Sequence, residues 1–163
     1  IFDSMKKIHG LGKRERLLLQ IAAKLYDCGK YISMTSVGEC SYSIIMATEI
    51  IGLSAAERRI IANVVRYNTM DFTLEDVLEQ QLRQEDYLII VKLVAILRVA
   101  NALDRSHKQK FEQVRLILKD AQLEIVVDTS EDITLEKGLF PPKADYFEEV
   151  FHVRPMIRKK KNL

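Results

Sequence analysis

Apolar residues recur at helical spacing through the first two thirds of the chain and then switch to every second position. This predicts a helical body followed by a small sheet-bearing tail. Leu18, Ile21, Ala22 and Leu25 fall at i, i+3, i+4 and i+7, the buried face of a helix from Lys13 to Asp27, with Gly29 as its C-cap. A second helix is expected over Ser41 to Ile51, with Ile44, Ile45, Thr48 and Ile51 on one side and Gly52 at its end. Ser54 and Glu57 form a capping-box pattern that opens a third, running to about Tyr67, and Thr73 with Asp76 repeats that start signal. The strongest helical pattern runs from Glu85 to Leu103, where Leu93, Leu97 and Ala100 are in register with Asp104. That register predicts a carboxylate at the end of an apolar stripe, and such a group needs a cation, a metal or a hydrogen-bond donor beside it. Beyond Gln109, Val114, Leu116 and Leu118, then Leu123, Ile125 and Val127, alternate across the turn Asp120–Ala121 and predict a β-hairpin. A helix around Lys143 to Phe151 and a short strand around Val153 to Ile157 complete the pattern. The expected fold class is mainly α, a helical domain over 1–110 followed by a small α+β appendage over 111–163 (hairpin, helix, short strand).

Composition narrows the function classes. At 163 residues, 48% hydrophobic and 29% charged, the chain can bury the core of one ordinary soluble domain. A net charge of +2 is too small to hold nucleic acid through the overall field, so any anion site has to come from local clustering. The densest basic run, Arg158, Lys159, Lys160 and Lys161, reads as a frayed, solvated terminus, and Lys6, Lys7, Lys13, Arg14 and Arg16 as a solvated helix face. Cys28 and Cys40 make neither a disulfide framework nor a zinc signature, which fits a reducing cytoplasm. No apolar stretch approaches the roughly 20 residues that cross a bilayer. The chain begins at Ile1 rather than at methionine, which predicts a piece of a longer protein. There is no GxxxxGK loop, no GxSxG elbow and no HExxH helix, and the tyrosines Tyr26, Tyr31, Tyr42 and Tyr67 read as core fillers rather than as a base-stacking platform.

Several segments together carry a family likeness. They are Phe2-Asp3-Ser4-Met5-Lys6-Lys7-Ile8-His9-Gly10-Leu11-Gly12, Gly29-Lys30-Tyr31-Ile32, Gly52-Leu53-Ser54 with Glu57-Arg58, Arg66-Tyr67, and the run Leu97 to His107. In order and spacing they resemble the C-terminal domain of the exopolyphosphatase and guanosine pentaphosphate phosphatase (Ppx/GppA) family over nearly the whole chain. The resemblance implies a degenerate HD-like helical bundle, from a superfamily in which two histidines and two aspartates hold a divalent metal that activates water. Mapped here, the ligands would be His9, the doublet Tyr26-Asp27, and Asp104, with Tyr26 where the family pattern has histidine. Cys40 and Asn68 stand at two further places that are histidine-rich in that pattern. A phenol with a pKa near 10 ligates poorly at neutral pH, so His9, Asp27 and Asp104 are expected to be a vestigial metal set, holding a divalent ion weakly or not at all. Otherwise the two aspartates become structural, bonded to His9 or to an arginine.

The resemblance also implies that catalysis, with Mg²⁺, belongs to actin-like N-terminal lobes of the same polypeptide, so that this region needs no cofactor of its own. Polyphosphate or guanosine polyphosphate would then be a partner of this region through Lys and Arg. The candidates are Arg66, Arg98, Arg105, His107 and Lys108, with Asn101 and Lys110 alongside; a blander reading pairs Arg98 and Arg105 with Asp27, Asp104 or Glu39. The expected function is a non-catalytic domain of an exopolyphosphatase-type hydrolase that assists polyanion binding and homodimerisation, without membrane or specific nucleic-acid contacts. Two alternatives stand beside it: a residual metal-dependent HD phosphohydrolase acting on guanosine polyphosphates, and a ligand-free dimerisation module.

Overall fold

The computed structural model describes residues 1–111 and 113–160. Among the described residues, 57% are helical, in eight α-helices and two 3₁₀ turns, and with a three-stranded sheet they make the protein mainly α with a small α+β tail. It divides into two compact units: a helical unit, Leu11–Leu97, and a mixed unit made of Ile1–Gly10 with the residues from Arg98 onward. The short helix α1 (Lys6–His9) belongs to the mixed unit; α2 (Lys13–Leu25), α3 (Val37–Ala47), α4 (Ala55–Arg66) and α5 (Leu74–Glu79) belong to the helical unit. The long helix α6 (Gln84–Leu103) gives its first fourteen residues to the helical unit and the remainder to the mixed one.

In the helical unit α4 is the central element, with α2 and α3 packed against it. Six consecutive residues, Ile60 to Val65, are buried, so α4 has apolar neighbours on every side there. Its start is fixed as expected: the Ser54 hydroxyl accepts from Glu57 N–H while the Glu57 carboxylate accepts from Ser54 N–H at 2.8 Å. Arg14 adds a second grip on the same carboxylate, donating from Nη2 to Oε2 at 2.9 Å and also to the Gly52 carbonyl at 2.7 Å. This arginine, and the hydrogen bond it makes above all, brings Glu57 down to about 2. Thr73 and Asp76 form the matching box on α5.

Three expectations from the sequence fail here for physical reasons. Gly29 is not a left-handed cap: it is the buried residue of a 3₁₀ turn, Cys28–Tyr31, where a Cβ would lie 2.5 Å from both Ser41 N and Val37 O. Close approach of the turn to α3, not a positive φ, demands glycine there. The second helix runs over 37–47 rather than 41–51, because the apolar count continues across a break at Thr48 and leaves Ile51 98% exposed. Tyr31 is 96% exposed and fills no core.

In the mixed unit β1 (Gln113–Lys119) and β2 (Gln122–Asp128) form the expected hairpin, with Lys119 opposite Gln122 across the two-residue turn. Asp120 takes the left-handed conformation, φ +54°, that such a turn asks of its first residue. Two helices, α7 (Thr134–Leu139) and α8 (Pro141–Phe151), make the crossover that returns β3 (Arg154–Lys159) parallel to β2. The sheet order is β1-β2-β3, and the fully buried Leu123, Ile125 and Val127 of β2 are central to its core with Ala144, Phe147 and Phe151 of α8. The basic tail is therefore not frayed through Lys160. Arg158 and Lys159 are in β3, Lys160 N–H donates to Val127 O at 2.9 Å, and Arg158 and Lys160 pair with Glu124 and Asp128; Lys161 lies outside the described residues.

Candidate functional site

The stretch that closes α6 shows how the mixed unit presents charge. Residues 93–99 are buried on all sides of the helix, so no single apolar stripe exists to carry a register down to Asp104; Ala100 is exposed and Asp104 only half-buried. Asp104 has its donor nonetheless, since its Oδ1 accepts from the Gln109 backbone N–H at 2.9 Å and closes the loop 104–109 upon itself. His107 and Gln109 within that loop take left-handed φ of +53° and +49°, which costs energy for residues with a Cβ and needs a surrounding structure to enforce it.

Immediately after the loop stands a buried ion pair. Lys110 Nζ lies 3.1 Å from Glu136 Oε2 and donates to the Asp132 carbonyl at 2.6 Å, with the Glu136 side chain fully buried and that of Lys110 12% exposed. Burial alone would push the Glu136 carboxyl up, but the Ser106 hydroxyl, backbone N–H and Lys110 outweigh it and hold the group below its ordinary value. Sequence reasoning missed this pair. The signal was present: Glu136 falls three residues after Ile133 and four before Phe140, both buried, so it sits on the apolar face of α7.

Between its tethers the loop carries Arg105, His107 and Lys108, all exposed. Among the described residues none of the three makes an ion pair or a side-chain hydrogen bond. Lys108 also lines a cavity of about 630 Å³ together with Lys110, Asp128, Thr129, Ser130 and Glu131. Lys160 already neutralises Asp128 at 2.7 Å.

The remaining expected contacts are held in different ways. Arg98 is buried, its guanidinium carbon 4.3 Å from the centroid of the Tyr146 ring. Arg66, in the helical unit, donates from Nε to Glu39 at 2.7 Å and lies 5.2 Å from the centroids of both the Tyr42 and Tyr67 rings. It is a packed cation with a carboxylate of its own, and Glu39 is thereby taken from any other arginine. Tyr67, buried beside it and stacked on Phe72, has its hydroxyl pushed well above the ordinary phenol range, by burial first and then by Asp76.

The three residues matched to metal ligands are engaged elsewhere. His9, buried in the mixed unit, places Nε2 2.8 Å from the Phe2 carbonyl; a carbonyl accepts, so Nε2 carries the proton and is no lone-pair donor. Asp27, in the helical unit, receives Lys30 Nζ at 3.0 Å, and Lys30 also lies over the Tyr26 ring, 5.9 Å from its centroid. Asp104 bonds the Gln109 amide as above. Among the described residues no group of three or more His, Cys, Asp and Glu side chains is placed to hold a metal ion.

These features define a mainly helical module that presents a tethered basic loop. A family model described as Ppx/GppA phosphatase, domain III, matches residues 1–140, and the chain belongs to that family. It is thus one domain of a larger Ppx/GppA polypeptide. No curated protein matches it. No helix among the described residues is long and apolar enough to cross a membrane.

Proposed function

We propose that this domain is an accessory, non-catalytic part of an exopolyphosphatase-type hydrolase, and that the loop 104–110 contacts the polyanionic substrate. One observation carries the reading: Arg105 and Lys108 are exposed, have no carboxylate partner among the described residues, and stand on a backbone held at both ends by Asp104 and Lys110. A polyanion gains most from cations that are already positioned and need not break an ion pair to bind. Arg66 and Arg98 play a different part in this reading. Their guanidinium groups are packed on aromatic rings and support the fold around them. His9, Asp27 and Asp104 act as structural fasteners rather than as metal ligands, and the Mg²⁺ of the reaction belongs to the catalytic lobes. Homodimerisation of the parent enzyme and a cytoplasmic location complete the proposal.

The test is titration of the chain with inorganic polyphosphate at two ionic strengths. Arg105→Ala with Lys108→Ala is expected to weaken binding at least tenfold and to flatten its salt dependence, while Arg66→Ala lowers thermal stability more than affinity. Unchanged affinity in the Arg105/Lys108 variant would remove the loop from the proposal. The competing reading, a residual guanosine polyphosphate hydrolase, requires manganese-dependent phosphate release that disappears on Asp27→Ala or Asp104→Ala.

A further inference from the structure

The two edges of the sheet are unlike. At the β3 edge, Arg158 pairs with Glu124 at 3.1 Å, Lys160 with Asp128, and Arg154 with both Asp145 and Glu148, while Pro155 is buried. Proline removes a donor from an edge and neutralised side chains offer nothing to a partner, which is how exposed edges are ordinarily defended. β1 is different. It pairs with β2 alone, so among the described residues its outer row of backbone groups has no strand beside it. Arg115 and Lys119 are exposed and, among the described residues, neither makes an ion pair or a side-chain hydrogen bond.

The register separates the faces of β1. Val114, Leu116 and Leu118 stand opposite Val127, Ile125 and Leu123, which are completely buried. Their own cover falls short: Val114 is 45% exposed, and Leu116 and Leu118 are only half-buried. The 3₁₀ turn Asp3–Met5 lies close to β1, and with it the inner apolar layer of the sheet is only partly covered at this strand. On the opposite face Arg115, Ile117 and Lys119 stand over Val126, Glu124 and Gln122, and the one carboxylate among these is already held by Arg158.

We propose that β1 is a docking edge for an acidic, extended segment of another polypeptide, which adds as a fourth strand. Main-chain hydrogen bonds to the open row would supply affinity. Carboxylates at alternate positions would lie on the face of Arg115 and Lys119, and the intervening β-branched side chains would extend the layer of Val114, Leu116 and Leu118. The same two cations argue against a second copy of this chain as the occupant. Pairing β1 with itself puts four unneutralised cations on one face of a seven-residue ladder, whereas an acidic strand neutralises both. This proposal uses neither the loop 104–110 nor polyphosphate, so it stands or falls separately from the reading above.

The probe is a labelled eight-residue peptide of alternating Glu and Val, added to the full chain, with a block peptide of four Glu followed by four Val as its equal in composition and charge. The alternating peptide is expected to bind at least tenfold more tightly than the block peptide and to slow amide exchange within residues 113–119. Arg115→Glu with Lys119→Glu is expected to lose at least tenfold in affinity for it and to bind the alternating Lys–Val peptide instead, which also reports that the variant is folded. Equal binding of the alternating and block peptides, amide exchange within residues 113–119 that the alternating peptide leaves unchanged, protection of the same amides by polyphosphate, or self-association through β1 that the peptide fails to displace would each overturn the proposal.

Discussion

Replacing Lys110 by methionine keeps the length and apolar stem of the side chain and removes only its charge. Glu136, wholly buried, is then left without its cation, and a buried carboxylate orphaned in this way typically costs about 3–5 kcal/mol. Against a total stability of about 5–15 kcal/mol that is a large fraction, and for a chain of this size it corresponds to a fall in Tm of about 6–20 °C. The loss should be recovered by a second change. In Lys110→Met with Glu136→Leu both charges are gone, the Asp132 carbonyl and the Ser106 hydroxyl each lose one polar partner, and stability is expected to recover to within about 2 kcal/mol of the native chain. Urea denaturation followed by circular dichroism measures all four corners of this double-mutant cycle. The sign with pH follows from the lowered pKa of Glu136: its contribution is complete above its ordinary value near 4.5 and declines as pH falls below it. A single-variant cost below about 1 kcal/mol, or costs that simply add in the double variant, would refute the claim that these two groups are a coupled buried pair.

The turn against α3 gives a second test: Gly29→Ala forces a methyl into two backbone atoms at 2.5 Å and is expected to cost about 3 kcal/mol or more, measured by thermal denaturation. Ser41→Gly should not rescue it, because the clash is with the Ser41 backbone nitrogen and the Val37 carbonyl rather than with the hydroxyl alone. The Arg14–Glu57 contact makes a prediction about acid. Since the folded Glu57 titrates near 2 and the unfolded group near 4.5, its stabilisation is fully present above pH 4.5 and is lost as pH falls toward 2. Glu57→Gln should flatten that part of the stability profile, and an unchanged acid limb would count against the pairing.

Elements with a local chemical signature were legible before any tertiary contact was known. The capping boxes at Ser54 and Thr73 name helix starts because the orphan N–H groups of a first turn need those side chains, and both boxes form. The hairpin at Asp120–Ala121 is legible for the same reason, a turn chemistry flanked by period-two apolar runs. Periodicity misled where burial has no single direction. Across residues 93–99 every face of α6 is covered, and beyond Thr48 the apolar spacing continues after the helix has stopped. Of the expected site, Arg105, His107 and Lys108 do share one exposed loop, whereas Arg66 and Arg98 are packed against aromatic rings. No spacing argument sees which cations are already satisfied.

The sequence by itself determined the family, the class of fold and most helix starts, because each rests on residues close together in the chain whose chemistry acts over one turn or one strand pair. Only the tertiary structure decided which charges are spent and which remain on offer. Lys110 finds its acid 26 residues away, Gly29 owes its identity to a helix that begins eight residues later, and the basic run of β3 is neutralised by acids of β2. Electrostatic pairing and close packing depend on separation in space, and separation along the chain does not encode it until the fold brings the partners together.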